Sequence, residues 1–84
     1  MYSQNTWIRL GGIYMQALTE IKPGEICTIK WMTAGAKIAE WMEEHNIKEG
    51  SRITVIQNCM GDLIIGTRKG KVAVGKEIAF RIKV

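Results

Sequence analysis

Apolar positions recur every second residue in several short stretches of the chain and at a helical interval in one. In "EICTIKW", residues 25–31, Cys27, Ile29 and Trp31 fall on one face of a predicted strand, where a small buried thiol fits beside two larger apolar groups. The stretches "SRITVIQN" at 51–58, "LIIGTR" at 63–68 and "VAV" at 72–74 are rich in β-branched residues and read as three further strands, with "AFRIKV" at 79–84 as a short closing one. Between the first and second strands the period changes. Ile38, Trp41, Met42 and His45 stand at i, i+3, i+4 and i+7 of "TAGAKIAEWMEEHN", one apolar stripe of a helix of about three turns, while Glu40, Glu43 and Glu44 face the other way. Thr33 is placed to cap its start, and Asn46 to take the left-handed conformation that ends many helices.

Turn chemistry separates these elements. The single proline stands in Pro23-Gly24, where proline presets φ and glycine supplies the positive φ of a type II turn, so a turn precedes the first strand. "KEG" at 48–50, "CMGD" at 59–62 and "GKE" at 75–77 mark further turns, and "KGK" at 69–71 reads as a tight hairpin tip. About five short strands are too few for a sandwich, so the economical arrangement is a mainly β, small curled barrel with one inserted helix. It closes around Ile29, Ile53, Val55, Leu63, Ile65, Val72, Val74 and Ile82. Residues 1–16 lack a sustained period and are expected to pack on the barrel or to extend an edge strand.

Length and composition narrow the class. A chain of 84 residues, 46% apolar and 24% charged, holds one folded domain and has no apolar run long enough to cross a bilayer. No export signal opens it, so a cytoplasmic location is expected, with Cys27 and Cys59 as free thiols. Charge divides unevenly: residues 1–50 hold five Lys/Arg against six Asp/Glu, and residues 51–84 hold seven against two, so a formal net charge of +4 splits into −1 and +5.

The residues give no constellation for catalysis. No nucleophile is matched to a base at a recognisable spacing, and "GTRKGK" lacks the spacing and the following helix of a phosphate loop, so the chain reads as non-enzymatic and without a cofactor. Cys27, Cys59 and His45 are dispersed, and one histidine cannot supply the two-histidine, one-carboxylate face that open ferrous chemistry uses, so no metal site is expected. His45, on the helix stripe, is expected to be a partly buried, hydrogen-bonded residue. Trp31, Trp41 and Phe80 are expected in the core and Trp7 at the surface. The basic stretch Thr67-Arg68-Lys69-Gly70-Lys71 admits a small nucleic-acid-binding barrel as the alternative, although it carries no aromatic residue to stack on bases.

The order of these features resembles one family. Leu18, Ile21 and the Pro23-Gly24 turn, Ile29, the helix ending before Ile47 and Gly50, Ile53 and Val55, Gly61-Asp62-Leu63, Gly70 and its strand, and the closing Ala79-x-x-Ile82-x-Val84 look like the ferrous iron transport protein A (FeoA) family. The resemblance covers residues 17–84 and leaves residues 1–16 as an N-terminal extension. It implies an SH3-like barrel, a form that also occurs as the C-terminal domain of iron-dependent repressors. It further implies a cytosolic, non-enzymatic accessory of ferrous iron uptake, docking through the cleft between helix and barrel on the cytosolic GTP-binding part of a membrane transporter. Met42, Glu43, Leu63, Arg68, Lys69 and Lys71 are the expected partner-binding residues. Three stretches depart from the family pattern: His45-Asn46-Ile47-Lys48-Glu49-Gly50 at the helix end, Leu63 in place of a proline after Gly61-Asp62, and Met42-Glu43 in place of two apolar residues.

Overall fold

The computed structural model describes residues 8–10 and 13–84. Two short strands, β1 (Ile8–Leu10) and β2 (Ile13–Met15), pair antiparallel, and a 3-10 turn follows at Leu18–Glu20. After the Pro23-Gly24 turn, with Gly24 at φ 93°, come β3 (Ile26–Thr28), β4 (Trp31–Met32) and helix α1 (Ala36–Glu44). Strands β5 (Arg52–Cys59), β6 (Asp62–Thr67) and β7 (Gly70–Val74), helix α2 (Lys76–Ala79) and β8 (Ile82–Lys83) complete the chain. One antiparallel sheet has the order β3-β5-β6-β7, and β4 pairs with β8.

The strand expected over residues 25–31 is thus divided, and the division curls the fold. Strand β3 lies on β5 with Cys27 opposite Ile53, whereas β4 lies on β8 with Met32 opposite Ile82. At the corner the Ile29 amide donates to the Ser51 carbonyl at 2.9 Å and the Lys30 amide to the Lys83 carbonyl at 2.8 Å, one toward each partner, so the chain changes sheets without orphaning a backbone group. Gln16 and Val84 exchange two backbone hydrogen bonds, of 3.0 and 2.9 Å, which tie the beginning of the barrel to its end.

Leu18, Ile29, Met42, Ile47, Ile53, Val55, Ile65, Val74 and Ile82 fill the interior with exposures below 2%. The helix stripe supplies Met42 to this core, with Ile38 and Trp41 packed against it and Glu40, Glu43 and Glu44 in solvent, as the period requires. Asn46 stands at φ 62° and ends the helix. Val72, expected inside, is half-buried.

Several expectations are corrected. Trp31 is 43% exposed, because the corner at Ile29–Lys30 interrupts the alternation and turns its side chain outward. Cys27 is half-buried for a related reason: β3 is an edge strand of its sheet. Phe80 is 62% exposed. The segment expected as one closing strand instead begins inside α2 and reaches extended form only at Ile82, which leaves Phe80 at the helix end. Gly35, and not Thr33, occupies the N-cap of α1, without a side-chain hydrogen bond. Trp7 lies outside the described residues.

Two side chains fix the far end of the β5–β6 hairpin. Asp62 accepts a hydrogen bond from the Lys76 amide at 2.8 Å and so caps α2, whose own N-cap, Gly75, has no side chain to do so. Asn58 donates to the Thr19 and Ile21 carbonyls and accepts from the Gly61 amide at 2.9 Å. The loop between the strands is only Met60-Gly61, at φ 54° and 97°, the left-handed pair of a type I′ hairpin. Gly61→Ala is expected to lower stability by about 1–2 kcal/mol, since a Cβ there would stand 3.0 Å from the Lys76 Cβ in a conformation that L side chains resist. Met60→Asn is expected to raise it by about 0.5–1 kcal/mol, because asparagine accepts the left-handed form. Urea unfolding of both variants checks the pair of opposite signs.

Candidate functional site

A broad groove of about 940 Å³ opens between the loop after α1 and the open end of the β5–β6–β7 sheet. Its floor is the outward face of β5. Ile56 shares with Thr54 the face of β5 opposite the buried Ile53 and Val55 and stands 40% exposed, and the register shift between Val55 and Gln57 ends the inward row just beyond it. Gly66 across the ladder makes room for it, since a Cβ there would meet the Ile56 Cδ1 at 3.3 Å. Thr54 and Ser51 line the floor beside it.

The walls are basic. Lys48 and Arg52 approach from the loop side, Arg68 and Lys71 from the β6–β7 hairpin, and Glu49 is the single carboxylate among them. Among the described residues none of these four cations makes an ion pair, so the groove wall carries a net positive charge. The hairpin tip is ordered by Thr67, whose hydroxyl donates to the Gly70 carbonyl at 3.1 Å and accepts from the Lys69 amide at 3.0 Å. Lys69 Nζ reaches the Glu44 carbonyl at 3.1 Å, placing a cation on the carbonyl end of α1, where the helix dipole favours it. This contact joins hairpin and helix into one rim.

The sequence-derived partner residues separate accordingly. Arg68 and Lys71 lie on the groove, and Lys69 braces its rim. Glu43 is exposed on the outer face of α1 and is absent from the groove wall. Met42 and Leu63, at 0% and 2% exposure, are core residues and offer no surface to a partner: Met42 carries the helix stripe inward, and Leu63 faces the same interior from β6. Lys48 and Arg52 escaped the sequence reading because only the pairing of β5 with β6 brings them to the hairpin cations.

The remaining chemistry-bearing side chains have structural surroundings. His45 is partly buried and hydrogen-bonded: its Nδ1–H donates to the Trp41 carbonyl at 2.8 Å, and its ring lies 4.6 Å from that of Trp41. Among the described residues no three of His, Cys, Asp or Glu are grouped to hold a metal ion. Burial, reinforced by the Glu25 carboxylate and opposed by Lys30, pushes the Cys27 thiol above its usual range. A raised thiol pKa favours the neutral form in the fold. The resulting stability is fully present at neutral pH and is lost as the pH climbs through the folded-state value in the alkaline range. Iodoacetamide at neutral pH is expected to modify exposed Cys59 at least about tenfold faster than half-buried Cys27, read by mass spectrometry of tryptic peptides.

Comparison with known proteins gives this architecture its relatives. Residues 16–84 match the FeoA domain. A protein of Methanocaldococcus jannaschii that carries the name Fe(2+) transport protein A is 33% identical over 70 residues, spanning 83% of this chain and 85% of that protein. The crystal structure of an iron uptake regulatory protein (FeoA) superposes with a TM-score of 0.76 at 25% identity, over 83% of this chain and 95% of the other. A manganese-dependent transcriptional repressor shares the fold with a TM-score of 0.75 at 19% identity, over 83% of this chain but 40% of its own. The small SH3-like, mainly β fold expected from the sequence is therefore the observed one, and the chain belongs to the FeoA domain family.

Proposed function

We propose that this protein serves ferrous iron transport as a non-enzymatic accessory in the cytoplasm. Its basic groove docks on an acidic stretch of the cytosolic GTP-binding part of a ferrous iron transport membrane protein. Family membership supports the connection to iron transport. The observation that carries the docking mode is the set of cations without ion pairs, Lys48, Arg52, Arg68 and Lys71, around a groove too open to enclose a small substrate. Docking of this kind shifts a partner's conformational or nucleotide equilibrium by preferring one of its states.

Clustered cations also suit phosphate backbones, but no aromatic side chain lines the groove to stack on bases, which favours a protein partner. Affinity capture decides between them. The tagged protein is expected to retain the transporter's GTP-binding part equally before and after nuclease treatment. Loss of that retention on nuclease treatment, with recovery of bound RNA or DNA, would replace this reading with the nucleic-acid one.

A further inference from the structure

We propose that the end of the molecule opposite the groove is a membrane-contact surface. Met60 and Phe80 insert at the interface of an anionic bilayer, with Lys76 and Arg81 against its headgroups. Met60, 91% exposed, and Phe80, 62% exposed, are the large apolar residues that share one surface: both line a shallow hollow of about 440 Å³, together with Lys76, Arg81 and Glu77. Scattered exposed apolar residues need no explanation, but two held side by side beside cations do.

Both are held in place. Met60 occupies the first position of a two-residue loop at φ 54°, a conformation that costs a methionine stability and that asparagine would take more easily. Asn58 and Asp62 anchor that loop to the 3-10 turn and to α2. Beside the Phe80 ring, Lys83 sets its Nζ 4.3 Å from the ring centroid and donates to the Phe80 carbonyl at 2.7 Å, which fixes the end of α2. Folding alone would be served better by a polar residue at this left-handed position, and membrane insertion gives the exposed methionine a use outside the fold.

Two features favour a bilayer over a protein groove as its partner. Met60, at 91% exposure on a two-residue hairpin tip, is open to shallow insertion at the headgroup boundary. Lys76, Arg81 and the Lys83 ammonium beside the Phe80 ring outnumber Glu77 and Asp62, a balance that attracts anionic headgroups. Because β5 and β6 run from the groove to this hairpin, the two surfaces lie at opposite ends of one ribbon, and engagement of one leaves the other open. The inference stands independently of the groove's partner.

Co-sedimentation of the full chain with vesicles tests it, using phosphatidylglycerol mixed with phosphatidylcholine against phosphatidylcholine alone. Binding to the anionic vesicles is expected to exceed that to neutral ones by about fivefold and to fall with added salt. Met60→Asn, which relieves the loop, and Phe80→Asp, at an exposed position, are each expected to reduce binding about fivefold with the fold retained. Absence of sedimentation with anionic vesicles at low ionic strength overturns the proposal. So does wild-type binding by both variants, or a loss confined to Arg68→Glu/Lys71→Glu, which would assign the attraction to the groove.

Discussion

Asn58→Ala is expected to destabilise the protein by about 3 kcal/mol, the combined effect of three hydrogen bonds at about 1 kcal/mol each. The side chain is half-buried on β5 and uses both its ends. Its amide nitrogen donates to the Thr19 carbonyl at 3.0 Å and the Ile21 carbonyl at 2.8 Å, 39 and 37 residues away in sequence, and its oxygen receives the Gly61 amide. Truncation leaves these backbone groups without their partner and frees the 3-10 turn, which carries the core residue Leu18, from the hairpin that it packs beside. Stabilities of small domains are about 5–15 kcal/mol, so the loss is a large share of the total. Urea unfolding should show it as a lowered midpoint at unchanged slope, against a change within about 0.5 kcal/mol for the exposed neighbour in Gln57→Ala. A loss for Asn58→Ala below about 1 kcal/mol would mean that water replaces the side chain without cost.

Arg68→Glu combined with Lys71→Glu is expected to weaken binding to the transporter's GTP-binding part by roughly 30-fold, or about 2 kcal/mol. Each reversal changes the charge by two, so the pair takes the formal net charge from +4 to 0 and turns one wall of the groove acidic. Both residues are exposed and make no ion pair among the described residues, so thermal stability should move little. The wild-type affinity should fall with salt, because exposed charges are screened within about 8 Å at physiological ionic strength, and the variant should have lost most of that dependence.

Periodicity disclosed what repeats locally. The stripe of Ile38, Trp41, Met42 and His45 and the alternation of Ile53 with Val55 follow from spacing alone, and each faces the interior to some degree. The departures arise where distant residues decide. Alternation runs unbroken through Ile29 and Lys30, yet their amides bond to Ser51 and Lys83, and this contest between two partner strands turns Trp31 outward. Helix α2 has four residues, too few to show a helical period, and the group that caps it, Asp62, lies 14 residues earlier. The outward place of Ile56 follows from alternation with Ile53 and Val55, whereas the bulge between Val55 and Gln57, after which Gln57 is exposed too, has no sequence sign beyond that polar residue. Of the groove, the hairpin cations were legible as a cluster. Lys48 and Arg52 joined them through sheet pairing, while Met42 and Leu63 were claimed by the core.

Calorimetric titration of the protein into the purified cytosolic GTP-binding part of the ferrous iron transporter tests the docking claim most directly. A saturable one-to-one heat that weakens with salt and is lost in Arg68→Glu/Lys71→Glu is the predicted result. Equal binding by wild type and the double variant, or no binding at low ionic strength, would contradict it.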